Sequence, residues 1–447
     1  MRLKDFFEIP AGIRFMFNNL NTGSSIAKRY FASEEFVKSP ENLKNIYNKL
    51  FLINEFVKAS KTNSVLIDEL RLLLSDLKEI FPTLERLIGG ATLDDIELFE
   101  IKSFAILSEQ IQTKVSHLPD GIILINPLEE VIKILDPDNL KSASFYIYDS
   151  YSTELTYLRG EFKNDPKNLE LFDKTLEIED RIRTTLSSKL FDFVKFIRFN
   201  YFSILNLDIL IAKSVQIREL NLCIPEFSDS ENLYEGIFNP EIDYYLKQSG
   251  KDFKKVDFIS GKNLTLITGA NMGGKTVFLK TLALIHLLFH FGMGIPALKA
   301  KLSPVDDVFL LTGDDQNAKM GYSSFSGEVL RINSLLKKVK EGEKILALID
   351  EPARSTNPSE GSALVGALIN RLELFNTFSV VTTHYNIINS TCKRMRVKGL
   401  IDGVMDYTLI EDENNEAPTE AINIARSLGA DSQWIDEAEK LFNDTKI

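Results

Sequence analysis

The stretch Gly269-Ala270-Asn271-Met272-Gly273-Gly274-Lys275-Thr276 constrains the fold of this 447-residue chain more than any other feature. It fits G-x-x-x-x-G-K-[ST], in which glycines let backbone N–H groups close around phosphate oxygens. Such a loop works between a strand and a helix, so it calls for an α/β sheet domain. The flanks agree. Leu264 to Thr268 is short, apolar and β-branched, which predicts a buried strand. Thr276 to Phe291 carries Val277, Leu279, Leu282, Leu284, Leu287 and Leu288, which predicts a mostly buried helix whose N-terminus attracts anions. Lys275 is then placed to reach β- and γ-phosphates, and the Thr276 hydroxyl to bind Mg²⁺. A chance glycine-rich turn is the alternative, and the strand–loop–helix context weighs against it.

Four downstream segments suggest what becomes of a nucleotide held there. Lys344 to Ile349 predicts a second apolar strand, ending in Asp350-Glu351. An acid at that position can hold the metal, and the next carboxylate can orient the attacking water as a base. Phe378 to Thr383 predicts a third strand running into His384-Tyr385, with the histidine at the carboxyl edge of the sheet. Asp314-Asp315-Gln316 follows the apolar Val308 to Leu311, and Gln316 is a candidate sensor of metal or water. Tyr322-Ser323-Ser324-Phe325-Ser326-Gly327-Glu328 sets hydroxyls and a glycine just before a helix, a second candidate phosphate cap.

P-loop, glutamine loop, serine-rich signature, Asp-Glu pair and histidine, in that order, resemble an ABC-type ATPase. Within that class the motifs TGANMGGKT (268–276), GDDQ (313–316), YSSFSGE (322–328), DEPARSTNPSEG (350–361) and TTHY (382–385) resemble the MutS family. TVFLKTLALI (276–285) is closer to the bacterial branch that carries an Smr nuclease domain than to the mismatch-recognition branch. Ala421 to Gly429 with Trp434 to Phe442 is similar to the family's C-terminal helical pair. The resemblance implies an α/β P-loop (ABC-type) ATPase domain preceded by an all-α helical core and lever domain. It implies ATP and Mg²⁺ as ligands, cradled by Gly269 to Thr276, with Thr276 and Asp350 on the metal. Glu351, His384 and Gln316 become the catalytic set. Ser323 would complete the site of the other protomer in trans, which makes a homodimer the expected state.

Residues 1–220 read as almost entirely helical, with apolar residues at helical spacing through Asn42 to Val57 and Val65 to Phe81. Gly89-Gly90 interrupts the pattern, and Thr92-x-x-Asp95 predicts a capped start for Ile96 to Gln112. LIGGATLDDIELFEI (87–101), YDSYSTELTYLRGEF (148–162) and LDILIAKS (207–214) resemble the family's core and lever. Two long helices, Tyr151 to Leu186 and Leu190 to Leu220, are expected with only Ser187-Ser188-Lys189 between them, where relatives insert a DNA clamp. Pro166 is a point where the first can kink or break. The expected layout is 1–220 helical core and lever, 221–250 linker and start of the ATPase domain, and 251–447 ATPase domain with the helical pair. Neither a mismatch-reading domain nor an Smr nuclease is expected in this layout.

The acidic balance then bears on partners. A net charge of −12 repels duplex phosphates overall, so DNA affinity is expected to be weak and without mismatch preference. Lys393, Arg394, Arg396 and Lys398 form a local basic run, more simply read as a solvated face. Cys223 and Cys392 are too few for a disulfide framework and fit a reducing, cytoplasmic setting. Thr281 to Leu298 is uncharged and nearly long enough to span a membrane, yet its histidines, glycines and Pro296 favour a core helix. His286-x-x-x-His290 has metal spacing on a helix but no third ligand, so core histidines are the simpler reading. Glu177 to Arg183 reads as a solvated helix face. The function expected is a dimeric ATPase moving helical levers in DNA repair or recombination. The alternative is a protein-remodelling ATPase, such as one that reactivates a cobalamin-dependent aminomutase.

Overall fold

The computed structural model describes residues 1–447 except 142–143, 262, 270–272, 314–323, 376, 386, 388–391, 402–403, 413–421, 423–424, 427–428 and 445–447. The chain divides into two compact units. One joins Leu20–Glu34 with Asn48–Val215; the other joins Met1–Asn19, Glu35–Tyr47 and Gln216–Ile447.

Helices dominate the first half of the chain: α1 (Ile13–Asn18), α2 (Ser25–Ala32), α3 (Pro40–Ala59), α4 (Lys61–Ser75), α5 (Phe81–Ile88), α6 (Asp95–Val115), α7 (Glu129–Leu135), α8 (Thr153–Asn164), α9 (Leu169–Phe191) and α10 (Val194–Glu219). The start of α6 differs from the sequence expectation. Asp94, not Thr92, is the cap: it accepts from Glu97 N, and the Glu97 side chain accepts in return from Asp94 N. A carboxylate with Glu three residues on satisfies two orphan N–H groups at once. The Thr92 hydroxyl instead lies 3.3 Å from that of Thr184.

The two expected long helices are also redrawn. The first breaks at Asp165–Asn168, where Pro166 removes a donor and Asn168 restarts α9 by accepting from Leu171 N. Ser187 to Lys189 stay helical, because Ser187 is buried and its hydroxyl accepts from Leu93 N. The chain tightens instead at Asp192–Phe193, with Phe193 N bonding Leu190 O three residues back. The 26 residues of α10 span about 39 Å. The face around Glu177 to Arg183 is not merely solvated. Arg183 is 18% exposed and pairs with Asp95 on α6 as well as with Glu179 and Asp180.

In the second unit the chain continues as β1 (Glu226–Phe227), β2 (Asn232–Ile237), α11 (Pro240–Gln248), β3 (Val256–Ser260), β4 (Thr265–Thr268), α12 (Lys275–His290), β5 (Lys299–Leu302), β6 (Asp307–Leu311), α13 (Ser324–Lys340), β7 (Ile345–Asp350), α14 (Pro358–Glu373), β8 (Phe378–Thr382), β9 (Lys393–Ile401) and β10 (Val404–Glu411). Among the described residues the strands form two sheets, one ordered β1-β5-β2-β3 and one ordered β10-β9-β4-β8-β7-β6. In the larger sheet β6, β7, β8, β4 and β9 run parallel, and β10 closes it antiparallel on β9. This is an α/β fold. Its central strands β4 and β8 are buried end to end, which is why they read as mainly apolar, β-branched runs without alternation. Ile345, Ala347 and Ile349 of β7 join Leu335 and Val339 of α13 and Val365 and Ile369 of α14 in one core.

Helix α12 is buried on nearly all sides. Its histidines are structural, as their spacing without a third ligand suggested. His286 Nε2 lies 2.8 Å from the Tyr234 hydroxyl; His290 Nδ1 lies 2.7 Å from Val37 O, and its Nε2 accepts from Val305 N. No helix among the described residues is long and apolar enough to cross a membrane.

Candidate functional site

Because β4, β7 and β8 are parallel neighbours, their carboxyl ends open on the same edge of the sheet. That edge, beside the switch where β4 sits between β8 and β9, is where an α/β sheet offers backbone and side chains to a ligand. Gly269 leaves β4 at φ +142°, a conformation side chains resist, and a Cβ there would lie 3.3 Å from Val397. Gly274 caps α12 at φ +73°, with Tyr407 of β10 packed against it. Ala270, Asn271 and Met272 of the predicted loop lie outside the described residues.

Lys275 begins α12 and is 4% exposed. Its Nζ donates to Gly269 O at 2.6 Å and lies 3.2 Å from Glu351 Oε1. Thr276, one residue on, donates from Oγ1 to Asp350 Oδ2 at 2.5 Å. The other Asp350 oxygen accepts from Thr382 Oγ1 at 2.6 Å. Asp350 and Glu351 therefore take different partners from the same P-loop turn: the aspartate meets the hydroxyl, and the glutamate meets the ammonium. His384 Nδ1 is 3.8 Å from Glu351 Oε2, and Arg354 Nη1 is 4.0 Å from the same oxygen. Predicted residues from three separate strand ends thus converge on one cluster.

The turn after β7 is held in an unusual shape. Glu351 stands at φ +44° and Ala353 at φ +60°. Left-handed backbone costs a side-chain-bearing residue about 1–3 kcal/mol, so the surroundings must impose it. Glu351 N donates to both the carbonyl and the hydroxyl of Thr382. Ala353 is gripped from two other elements, by Glu328 of α13 and by Tyr385. Burial raises the pKa of Glu328, partly offset by the Ala353 N–H, and burial with the nearby Glu328 and Glu351 charges raises that of Tyr385.

Beside the loop, behind Gly273 and Gly274, lies a cavity of about 680 Å³ whose walls include Phe253, Val277, Phe278, Val397, Tyr407 and Leu409. Its lining is mainly apolar, as the site of a flat organic ring should be. Among donors, a threonine hydroxyl touching a carboxylate gives two hard oxygen ligands side by side, which suits Mg²⁺. Thr382 and Tyr385 had no role assigned from the sequence, although both stand in the TTHY segment that carried the resemblance. Tyr407 had no sequence signal at all, since only β10 pairing brings it to Gly274. Gln316, Ser323 and the acids Asp314 and Asp315 lie outside the described residues.

A family model described as MutS domain V matches residues 265–441. Among curated proteins, Endonuclease MutS2 of Agathobacter rectalis is 30% identical over 291 residues, covering 62% of this chain and 35% of that protein. Endonuclease MutS2 of Staphylococcus carnosus is 31% identical over 248 residues, covering 53% of this chain and 30% of its own length. The Clostridium kluyveri protein of the same name is 35% identical over 228 residues, with 50% and 28% covered. The chain thus spans about a third of the length of the curated relatives it matches.

Proposed function

The chain belongs to the MutS family, and from that premise we propose that it binds and hydrolyses ATP with Mg²⁺ as a dimer whose helical part acts as a lever. The observation that carries the ATPase reading is the convergence of Lys275, Thr276, Asp350 and Glu351 within hydrogen-bond or ion-pair distance. Phosphate oxygens would compete with Glu351 and the Gly269 carbonyl for the Lys275 ammonium. Backbone N–H groups from Gly269 to Thr276 would bind the remaining oxygens, at the positive end of α12. Thr276 and Asp350 would hold Mg²⁺, which would supply positive charge to offset that of the phosphate oxygens.

Glu351 is then the group that orients water and accepts its proton, with its carboxylate steered by the left-handed turn. His384, on the far side of that carboxylate, would respond to the γ-phosphate, and Gln316 to metal or water. Ser323 would serve the partner's nucleotide, so each site is completed across an isologous interface. The apolar cavity would take the base. In the wider role, closure of the ATPase pair would swing α9 and α10, and the relatives named Endonuclease MutS2 support work associated with DNA. Net charge of −12 supports a second reading, in which the client is a protein.

Two variants test the site. Lys275→Ala should abolish tight ATP binding, because it removes the buried cation of the cradle. Glu351→Gln should bind ATP normally yet lose turnover by about 10²–10⁴-fold. Nucleotide titration and phosphate release, read together, separate these outcomes, and equal binding defects in both variants would show the roles misassigned.

A further inference from the structure

We propose that Glu328 and Tyr385 are positioning residues for hydrolysis, holding the Glu351–Ala353 turn so that the Glu351 carboxylate points at the phosphate site. Ala353 N donates to Glu328 Oε1 at 2.6 Å, and the Tyr385 hydroxyl donates to Ala353 O at 2.9 Å. Both backbone groups of one left-handed alanine are therefore fixed by side chains from outside its own loop. Glu328 comes from α13, and Tyr385 follows the strand end that carries His384. Inside the turn Ala353 O also accepts from Thr356 N at 3.3 Å, and the Ala353 methyl is buried in the core, but the Glu328 and Tyr385 bonds are the ones that tie this φ of +60° to other elements. Two residues earlier, Glu351 is itself left-handed, and a relaxed turn would swing its carboxylate away from Lys275 Nζ.

The packing around Tyr385 leaves no slack. A Cβ added at Gly361 of α14 would lie 2.5 Å from the Tyr385 hydroxyl and 3.2 Å from Ala353 O. Glycine at this helical position makes room for the hydroxyl to reach the carbonyl. The consequence is a mechanical tie within one protomer. The helix that follows the serine-rich segment cannot shift without pulling on the turn that aims the hydrolytic carboxylate.

This inference rests on the reading of Glu351 as the base, and the experiment keeps the two separable. Glu328→Ala, Glu328→Gln, Tyr385→Phe and Glu351→Gln are compared for ATP dissociation constant, KM and kcat. Glu328→Ala should lower kcat about 10- to 100-fold with ATP affinity unchanged, the scale expected when a reacting group is misplaced by about 1 Å. Glu328→Gln keeps a side-chain oxygen that can accept from Ala353 N and should recover most of that loss. Tyr385→Phe should lower kcat in the same range, and its combination with Glu328→Ala should lose less than the product of the two effects. A purely structural role would lower thermal stability in every variant and show no recovery of kcat in Glu328→Gln. Full kcat in both Glu328→Ala and Tyr385→Phe, with Glu351→Gln inactive, would overturn the positioning role and leave the base in place. Undiminished turnover in Glu351→Gln would overturn the reading beneath it.

Discussion

At the scale of single residues, the site shows how neighbours in sequence acquire opposite tasks. Asp350 ends β7 with both oxygens taking hydroxyl hydrogens, whereas Glu351 turns left-handed and meets an ammonium. The buried histidines of α12 give a pH prediction. Burial lowers the pKa of His286 to about 3 and of His290 to about 4, against 6.5 in an unfolded chain. Between those values the unfolded state binds protons that the folded state does not, so stability is full above pH 6.5 and falls as pH drops toward 4. For each histidine the loss between pH 6.5 and 5 is up to about 2 kcal/mol. Glu34 and Asp208, whose pKa values burial raises, act in the opposite sense. Urea denaturation at pH 7 and pH 5 should therefore be run on the native chain and on His290→Gln, with the difference in pH slope as the readout. Equal slopes would mean that His290 titrates normally in the fold.

At the scale of elements, the sequence was most legible where one physical signal dominated. β4 and β8 are buried throughout and β7 and α12 nearly so, and their apolar runs announced both type and place. The P-loop, Asp350-Glu351 and His384 followed from position relative to those strands. β9 was not legible as a strand because its alternating charges, Lys393 to Lys398, disguise Met395 and Val397, which are buried beside β4. Tyr407 and the Glu328–Ala353 bond depend on long-range pairing that no local spacing encodes. At α6 two start signals competed two residues apart, and the reciprocal Asp94–Glu97 pair prevailed. Asp94→Ala should thus cost about 1 kcal/mol in chemical denaturation, the usual worth of a lost cap. Thr92→Val should cost less than about 0.5 kcal/mol, as an exposed change outside the cap does. Reversed magnitudes would return the helix start to Thr92.

For the molecule as a whole, charge decides what the chain can hold without help. Gripping duplex DNA takes several clustered cations, and the affinity so gained falls steeply with salt. Here Asp and Glu number 64 against 52 Lys and Arg. The most basic run is partly spent on the fold: Arg394 bonds Ile387 O, and Lys398 pairs with Asp406 at 3.0 Å. Between α9 and α10 stand only Asp192 and Phe193, so no clamp-like insertion interrupts them. Base discrimination needs side chains placed in a groove, beyond phosphate contacts that carry no sequence information. The expectation is weak duplex affinity near physiological salt, equal for matched and mismatched DNA. ATP should change that affinity modestly and leave the ratio near one. Titration of labelled matched and mismatched duplexes, with and without ATP and at two salt concentrations, makes the comparison. Tight binding with a clear preference for the mismatch would show a reading surface that the charge balance does not reveal, and would place this chain among proteins that inspect DNA directly.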